Sequence, residues 1–157
     1  LGQVSKKSAH QLGLWHVAVH IYVSDKKGNL LLQKRARDRI LQPGAWDSMV
    51  GGHVSAGEDF LLAAQREMKE EIGVKLPLKK MGEWNMVDKQ KNYLNREKVI
   101  YYFAQLKNQK VRPSEEFEKV GTIPFAKMDS FIRTKKCTPI LIHGWKVFGR
   151  KIQQMST

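Results

Sequence analysis

Apolar positions along the 157 residues switch between a period of two and a period of three to four, and the switches mark out the elements. Residues 15–23 are dense in β-branched and aromatic side chains and predict a strand. Asp25-Lys26-Lys27-Gly28-Asn29 reads as a turn, and residues 30–34 as the returning strand of a hairpin. A Pro43-Gly44 break separates this hairpin from residues 46–54, a short buried strand ending in the Gly51-Gly52 pair. From 59 to 72 the spacing turns helical, with Leu61, Ala64, Met68 and Ile72 forming an apolar stripe, and Gly73 stands where a left-handed C-cap would stop the helix. Strands follow around 80–87 and 98–106, joined by a polar connection. A loop opens at Ser114-Glu115-Glu116 before a short strand around 120–123. Helices are expected over 125–133 and 139–154, the second with a proline at its start. No repeat, low-complexity tract or long linker interrupts the series. The reading is one domain over residues 1–157, an α/β/α sandwich built on a mixed β-sheet.

Composition agrees with a packed domain: 41% of residues are hydrophobic, and the aromatics are spread along the chain. No apolar run approaches the roughly 18–20 residues that cross a bilayer, and no signal-peptide core is visible, so neither a membrane span nor export is expected. The lone Cys137 excludes an internal disulfide and a thiolate metal cluster and fits a reducing cytoplasm. A net charge of +13 draws polyanions such as nucleotides, diphosphates or RNA. Without a compact Lys/Arg block interleaved with aromatics, a small phosphorylated molecule is favoured over RNA. The apolar stretch Ile140-Leu141-Ile142 with Trp145 and Phe148 packs either on its own sheet or on a second copy, so a homodimer stays open.

The chemistry concentrates between Gly52 and Val74. On a helix Glu67 and Glu71 lie four apart on one face, with Glu70 beside them. Three carboxylates so close repel one another. Either the helix presents a solvated acidic face, or a hard divalent cation such as Mg²⁺ or Mn²⁺ offsets the repulsion while keeping places for water and phosphate. Flanking glycines let the backbone run close to such an ion, and Arg66 can grip a carboxylate such as Glu58 in bidentate geometry.

The segment resembles the Nudix box. Gly52, Glu58, Arg66, Glu67, Met68, Glu70, Glu71, Gly73 and Val74 satisfy each of its nine specified positions over 23 residues without insertion. The resemblance implies a Nudix α/β/α sandwich and metal-assisted cleavage of a diphosphate linkage. It further implies Glu67, Glu70 and Glu71 as Mg²⁺ ligands, assisted by a backbone carbonyl at Gly51 or Gly52. Glu67, Glu70, Arg66 and Glu58 are then the catalytic set, and Lys34 or Arg35, with Gly52 and His53, meets the substrate. The base is Glu67 inside the box or one of Glu115, Glu116 and Glu118 outside it. Trp84, Tyr93 and Tyr102 are candidates to stack on a substrate or to pack in the core.

The stretches around Trp15-His16, Leu31 to Arg35, Pro43 to Asp47 and Gly51-Gly52-His53 are similar to the branch that contains type 1 isopentenyl-diphosphate isomerases and isomerase-like hydrolases. That isomerase carries a catalytic cysteine two residues before a metal-binding histidine. Here the histidine is His53 and the cysteine position is Gly51, which has no side chain to exchange a proton. The isomerase's essential glutamate falls at Lys98, with Glu97 one residue away. His16 and His53 are open between packing and ligation. Gly51 favours a hydrolase over the isomerase, and the intact Glu67, Glu70 and Glu71 set favours it over a non-catalytic nucleotide- or RNA-binding module of the same fold.

Overall fold

Among the residues that the computed structural model describes, Ser5, Ser8 and 12–156, seven strands and three helices have full bounds. The ends of the expected 1–157 domain lie outside the described residues. In chain order the elements are β1 (Trp15–Ser24), β2 (Asn29–Arg35), β3 (Trp46–Ser48), β4 (Val50–His53), α1 (Phe60–Ile72), β5 (Lys79–Gln90) and β6 (Tyr93–Gln105). They are completed by β7 (Phe117–Pro124), α2 (Phe125–Thr134) and α3 (Pro139–Met155). The strands form one mixed sheet in the order β3-β2-β1-β6-β5, with β4 also on β1 and β7 also on β2. The β1–β6 pair is parallel; the other pairs are antiparallel.

Period-two alternation sorts the core into two layers, as an α/β/α sandwich requires. Val19, Ile21 and Val23 of β1 and Ile100, Tyr102 and Ala104 of β6 face α1, whose Ala64, Met68 and Ile72 close that layer. Tyr22 of β1 and Val99, Tyr101 and Phe103 of β6 face the other way, onto Met128 and Ile132 of α2 and Leu141, Trp145 and Ile152 of α3. The buried phenols of Tyr22 and Tyr101 each donate to a carbonyl in the first turn of α3, Leu141 and Ile140, both at 2.9 Å. The start of α3 is thereby pinned over the sheet. The C-terminal apolar stretch thus packs on its own sheet.

Helix α1 begins and ends where its residues predict. The Asp59 carboxylate accepts from the amides of Leu61 and Leu62, which stabilises an N-terminus by about 1 kcal/mol. Gly73 closes the helix at φ 68° and returns its N–H to Lys69 O.

Three expectations need correction. Residues 46–54 are two strands rather than one: β3 pairs with β2, then the chain crosses at Met49 and β4 pairs with β1. The polar connection expected between 87 and 98 is strand, because β5 and β6 stay paired as far as Gln90 opposite Tyr93. Residues 88–97 are polar because one row of their side chains lines a cleft and the edge strand β5 leaves the other in solvent, which period-two hydrophobicity does not register. Similarly β7 extends beyond the expected 120–123, since it follows β2 from Asn29 to Arg35.

Candidate active site

Helix α1 presents its carboxylates to the turn of β4. Glu71 Oε2 accepts the Gly51 N–H at 3.0 Å. The Glu67 carboxyl lies so close to Gly52 that a Cβ at that position would overlap it. Gly52 is glycine because the backbone must pass directly over a carboxyl. Burial pushes Glu71 up to about 8, and the Gly51 N–H offsets this only in part. Burial raises Glu67 as well, although the Arg66 guanidinium opposes it. Glu70 sits apart: its side chain is 59% exposed and, among the described residues, pairs only with Arg66, at 3.3 Å. Two of the three helix glutamates of the box therefore converge on one buried corner, and the third flanks it.

Arg66 organises the loop that frames this corner. Its Nε and one Nη reach the two oxygens of Glu58 at 2.9 and 3.0 Å, and the same Nη reaches His53 O at 3.1 Å. The other Nη donates to Glu67 Oε1 at 2.8 Å. The guanidinium holds Glu58 below the usual carboxylate range, and that carboxylate in turn raises the arginine. A single planar donor thus ties the start of the loop, the turn of β4 and the helix together.

A cavity of about 90 Å³ lies beside this corner. Gly51, Gly52, His53 and Glu71 form one wall, and Arg35 enters from β2. Arg35 Nε donates to Leu41 O at 3.1 Å, and one Nη stands 3.7 Å from Asp47. Lys34, the neighbouring candidate, is placed elsewhere: it faces Glu118 at 3.7 Å and lines a different hollow, with Trp46 and Lys119. Strand alternation sends one of the two to the cavity, and it is Arg35. The outside carboxylates do not line the cavity. Glu118 pairs with Lys34 and Arg37, Glu116 pairs with Arg39, and Glu115 lies with them over the 36–38 turn. Trp84 stacks on His143 at 3.9 Å, Tyr102 is in the core beneath α1, and the Tyr93 hydroxyl reaches Asp88 at 3.5 Å.

Beyond the box, a second group gathers in the same cleft. His16 and Glu97 are register partners on the parallel pair β1–β6, so their side chains share a face. His16 Nε2 is 3.1 Å and His53 Nε2 3.6 Å from Glu97 Oε1. Burial alone would raise Glu97, but the His16 hydrogen bond and the close His53 and His20 imidazoles outweigh it and hold the carboxylate well below its usual range. His16 Nδ1 meets Leu14 O at 3.1 Å, a contact that orients the ring so that Nε2 faces Glu97. A ring oriented by a carbonyl in this way suits a metal ligand. These three side chains could hold an ion among them. Of positions 97 and 98, it is Glu97 that stands in the cleft, while Lys98 points away to Glu83 at 3.3 Å. The signal was strand parity, which puts 97 on the side of Val99 and Tyr101.

His20 occupies the place that a side chain at position 51 would need. A Cβ on Gly51 would come within 2.6 Å of His20 Cε1. Burial lowers the His20 pKa, so the ring is neutral. Ser48 Oγ, 2.8 Å from His20 Nδ1, donates onward to Val50 O, and so accepts from the imidazole. The absence of a side chain at 51 is thereby matched by a neighbouring ring rather than by a void.

A mixed-sheet α/β/α sandwich with a glycine-flanked loop and an Arg-Glu…Glu-Glu helix defines the Nudix class. The chain matches the NUDIX domain over residues 14–139 and belongs to that family. Its similarities fall on both sides of the family. It is 44% identical to the isopentenyl-diphosphate Delta-isomerase 2 of Photorhabdus laumondii, over 52% of this chain and 46% of that protein. It is 30% identical to the isopentenyl-diphosphate Delta-isomerase of Rhodobacter capsulatus, over 92% of this chain and 82% of that protein. To the uncharacterized Nudix hydrolase lin0387 of Listeria innocua it is 41% identical, over 42% of this chain and 39% of that protein. The chain spans about half the length, or less, of the first and third of these relatives. Among solved structures, DR0079 from Deinococcus radiodurans superposes with a TM-score of 0.73 at 16% identity, covering 97% of this chain and 91% of that one. That likeness concerns the fold alone. No described helix is long and apolar enough to cross a membrane.

Proposed function

We propose that the protein, as one domain over residues 1–157, is a divalent-cation-dependent Nudix hydrolase, using Mg²⁺ or Mn²⁺. Its substrate is a nucleoside diphosphate-X or a related small molecule with a diphosphate linkage. The observation that carries this reading is the buried corner where Glu71 and Glu67 meet the Gly51-Gly52 backbone with too few donors for their charge. Desolvated carboxylates without enough counter-charge fit a hard cation. Glu67, Glu70 and Glu71, with the Gly51 carbonyl, would hold it. Bound there, it supplies electrostatic stabilisation of the phosphoryl oxygens. The chain's own residues do the rest. Arg66 and Glu58 fix the loop, Arg35 offers donors to phosphate at the cavity mouth, and His53 and Gly52 shape the wall. We assign Glu67 as the box residue that accepts a proton.

The test is release of phosphate-bearing products from a panel of nucleoside diphosphate sugars, dinucleoside polyphosphates, coenzymes and diphosphates, with Mg²⁺, Mn²⁺ or a chelator. Cleavage should require the cation, and Glu67→Gln should lower turnover by roughly a hundredfold or more with the fold retained. Undiminished activity in the chelator would overturn the reading.

The cluster of His16, His53 and Glu97, with the isomerase-named relatives, favours a second reading: allylic isomerisation. Two-sided proton exchange needs a donor and an acceptor across the double bond. Position 51 offers neither, and His20 fills the space. Incubation with isopentenyl diphosphate should yield no dimethylallyl isomer, and its appearance would decide for the isomerase.

A further inference from the structure

The cavity continues past the phosphate side into a polar end that the box does not explain. Asn95 of β6 is 5% exposed and lines this end. Its Nδ2 donates to Glu97 Oε1 at 3.1 Å, a bond that orients the amide because a carboxylate only accepts. Asn95 Oδ1 is then left as a buried acceptor with no partner. Gln33, 6% exposed on β2, lines the same end, and its amide makes no hydrogen bond among the described residues. Asp88 reaches the wall from β5 and is held there by Gln42 Nε2 at 2.8 Å. Gln42 itself carries a positive φ of 48° without being glycine, in the loop that covers this end. Among the described residues no Phe, Tyr or Trp side chain lines the cavity. A nucleobase is held chiefly by stacking on such rings, and an apolar tail would leave the buried amide oxygen unsatisfied.

We propose that this end selects a compact hydroxyl-bearing group, a sugar or other polyol on the diphosphate, with Asn95 Oδ1 as the specificity-determining acceptor. The inference rests on the hydrolase reading for the phosphate side and adds what the other side takes. Arg35 and Arg39 stand at the mouth for the phosphates. Asn95, Gln33 and Asp88 supply acceptors that match hydroxyl donors rather than a flat face.

The experiment titrates the protein, with Mg²⁺, with methylene-bridged diphosphates that cannot be hydrolysed. The three probes are the analogues of ribose 5-diphosphate, ADP and isopentyl diphosphate. The ribose and ADP analogues should bind within a few-fold of each other, since the base adds no stacking. The isopentyl analogue should bind about tenfold to a hundredfold more weakly. In Asn95→Leu the ribose advantage over isopentyl should shrink about tenfold, with Mg²⁺ affinity unchanged; Gln33→Leu should shrink it in the same direction. Binding of ADP about tenfold or more above ribose 5-diphosphate would overturn the proposal, because a base would then be recognised. So would equal affinity for ribose and isopentyl in the wild type, or an Asn95→Leu effect confined to metal binding. Hydrolysis of the parent diphosphates is scored separately. If none is cleaved while the affinity order holds, the hydrolase reading fails and the pocket assignment stands.

Discussion

Replacing Glu71 by glutamine removes a charge while keeping the side chain's size and the oxygen that accepts from Gly51. In the wild type burial lifts this carboxyl from an ordinary 4.5 to about 8. Between those values the folded chain keeps a proton that the unfolded chain has lost, so stability falls as pH rises across the window. At about 1.4 kcal/mol per pH unit the gap amounts to roughly 5 kcal/mol as a ceiling. Water penetration and screening reduce this to a few kcal/mol. For a chain of this length a few kcal/mol is on the order of 10 °C in Tm. The assay is thermal unfolding followed by circular dichroism, in a chelator, from pH 5 to pH 9. The Tm of Glu71→Gln relative to wild type should climb with pH and level off above about 8. Added Mg²⁺ should then raise the wild-type Tm at pH 8.5 and raise the variant's much less, since a cation that binds only the folded state stabilises it by mass action. A difference that stays flat from pH 5 to pH 9 would refute the claim that Glu71 is an uncompensated buried acid. Equal stabilisation of both proteins by Mg²⁺ would refute its assignment as a ligand.

Further outcomes follow from the same geometry. Gly51→Ala should cost about 1–3 kcal/mol by overpacking against His20; the cost should largely vanish in a His20→Ala background, which a double-mutant cycle by urea unfolding measures. Arg66→Lys should lower Tm by a few degrees and kcat by roughly tenfold or more, because an ammonium cannot span Glu58, Glu67 and His53 O together; unchanged kinetics would show that the loop needs no guanidinium. Asp59→Ala should remove about 1 kcal/mol of stability with kcat unaltered, since the cap lies at the far end of α1 from Glu71.

The parts of the fold that depend on a repeating apolar pattern were legible in the sequence. Helix α1 with its glycine cap, the β1–β2 hairpin and the two C-terminal helices all appear where the periodicity puts them. What escaped is what pairing decides. The division of 46–53 into β3 and β4 comes from two different neighbours taking the two halves, and no local residue announces it. The full length of β5 and β6 was hidden because their paired ends are polar, one row facing the cleft. The site shows the same division. The box is contiguous, so its glutamates, Arg66 and Glu58 could be located from spacing, whereas Asn95, Gln33, Asp88 and Asp47 reach the cavity only through sheet order.

Position 97 shows how narrow that margin is. A one-residue choice between Glu97 and Lys98 decides whether the cleft receives an acid beside two imidazoles or a lysine. A slip of one in a strand moves every side chain to the other face. The parallel register of β1 on β6 sets the choice: His16 opposite Glu97, with Val99 and Tyr101 continuing inward on the same side. Parity counted back from Val99 puts Glu97 and Asn95 together on that side, so the polar row of β6 follows from one buried apolar residue. The neighbouring position 51 works in the opposite sense. Its lack of a side chain is visible in the sequence, but the reason the site tolerates that lack, a neutral His20 ring held by Ser48 in the same space, requires two further strands to be in place. The residue that argues against isomerase chemistry and the residue that fills its room are thus thirty-one positions apart in the chain and in contact in the fold.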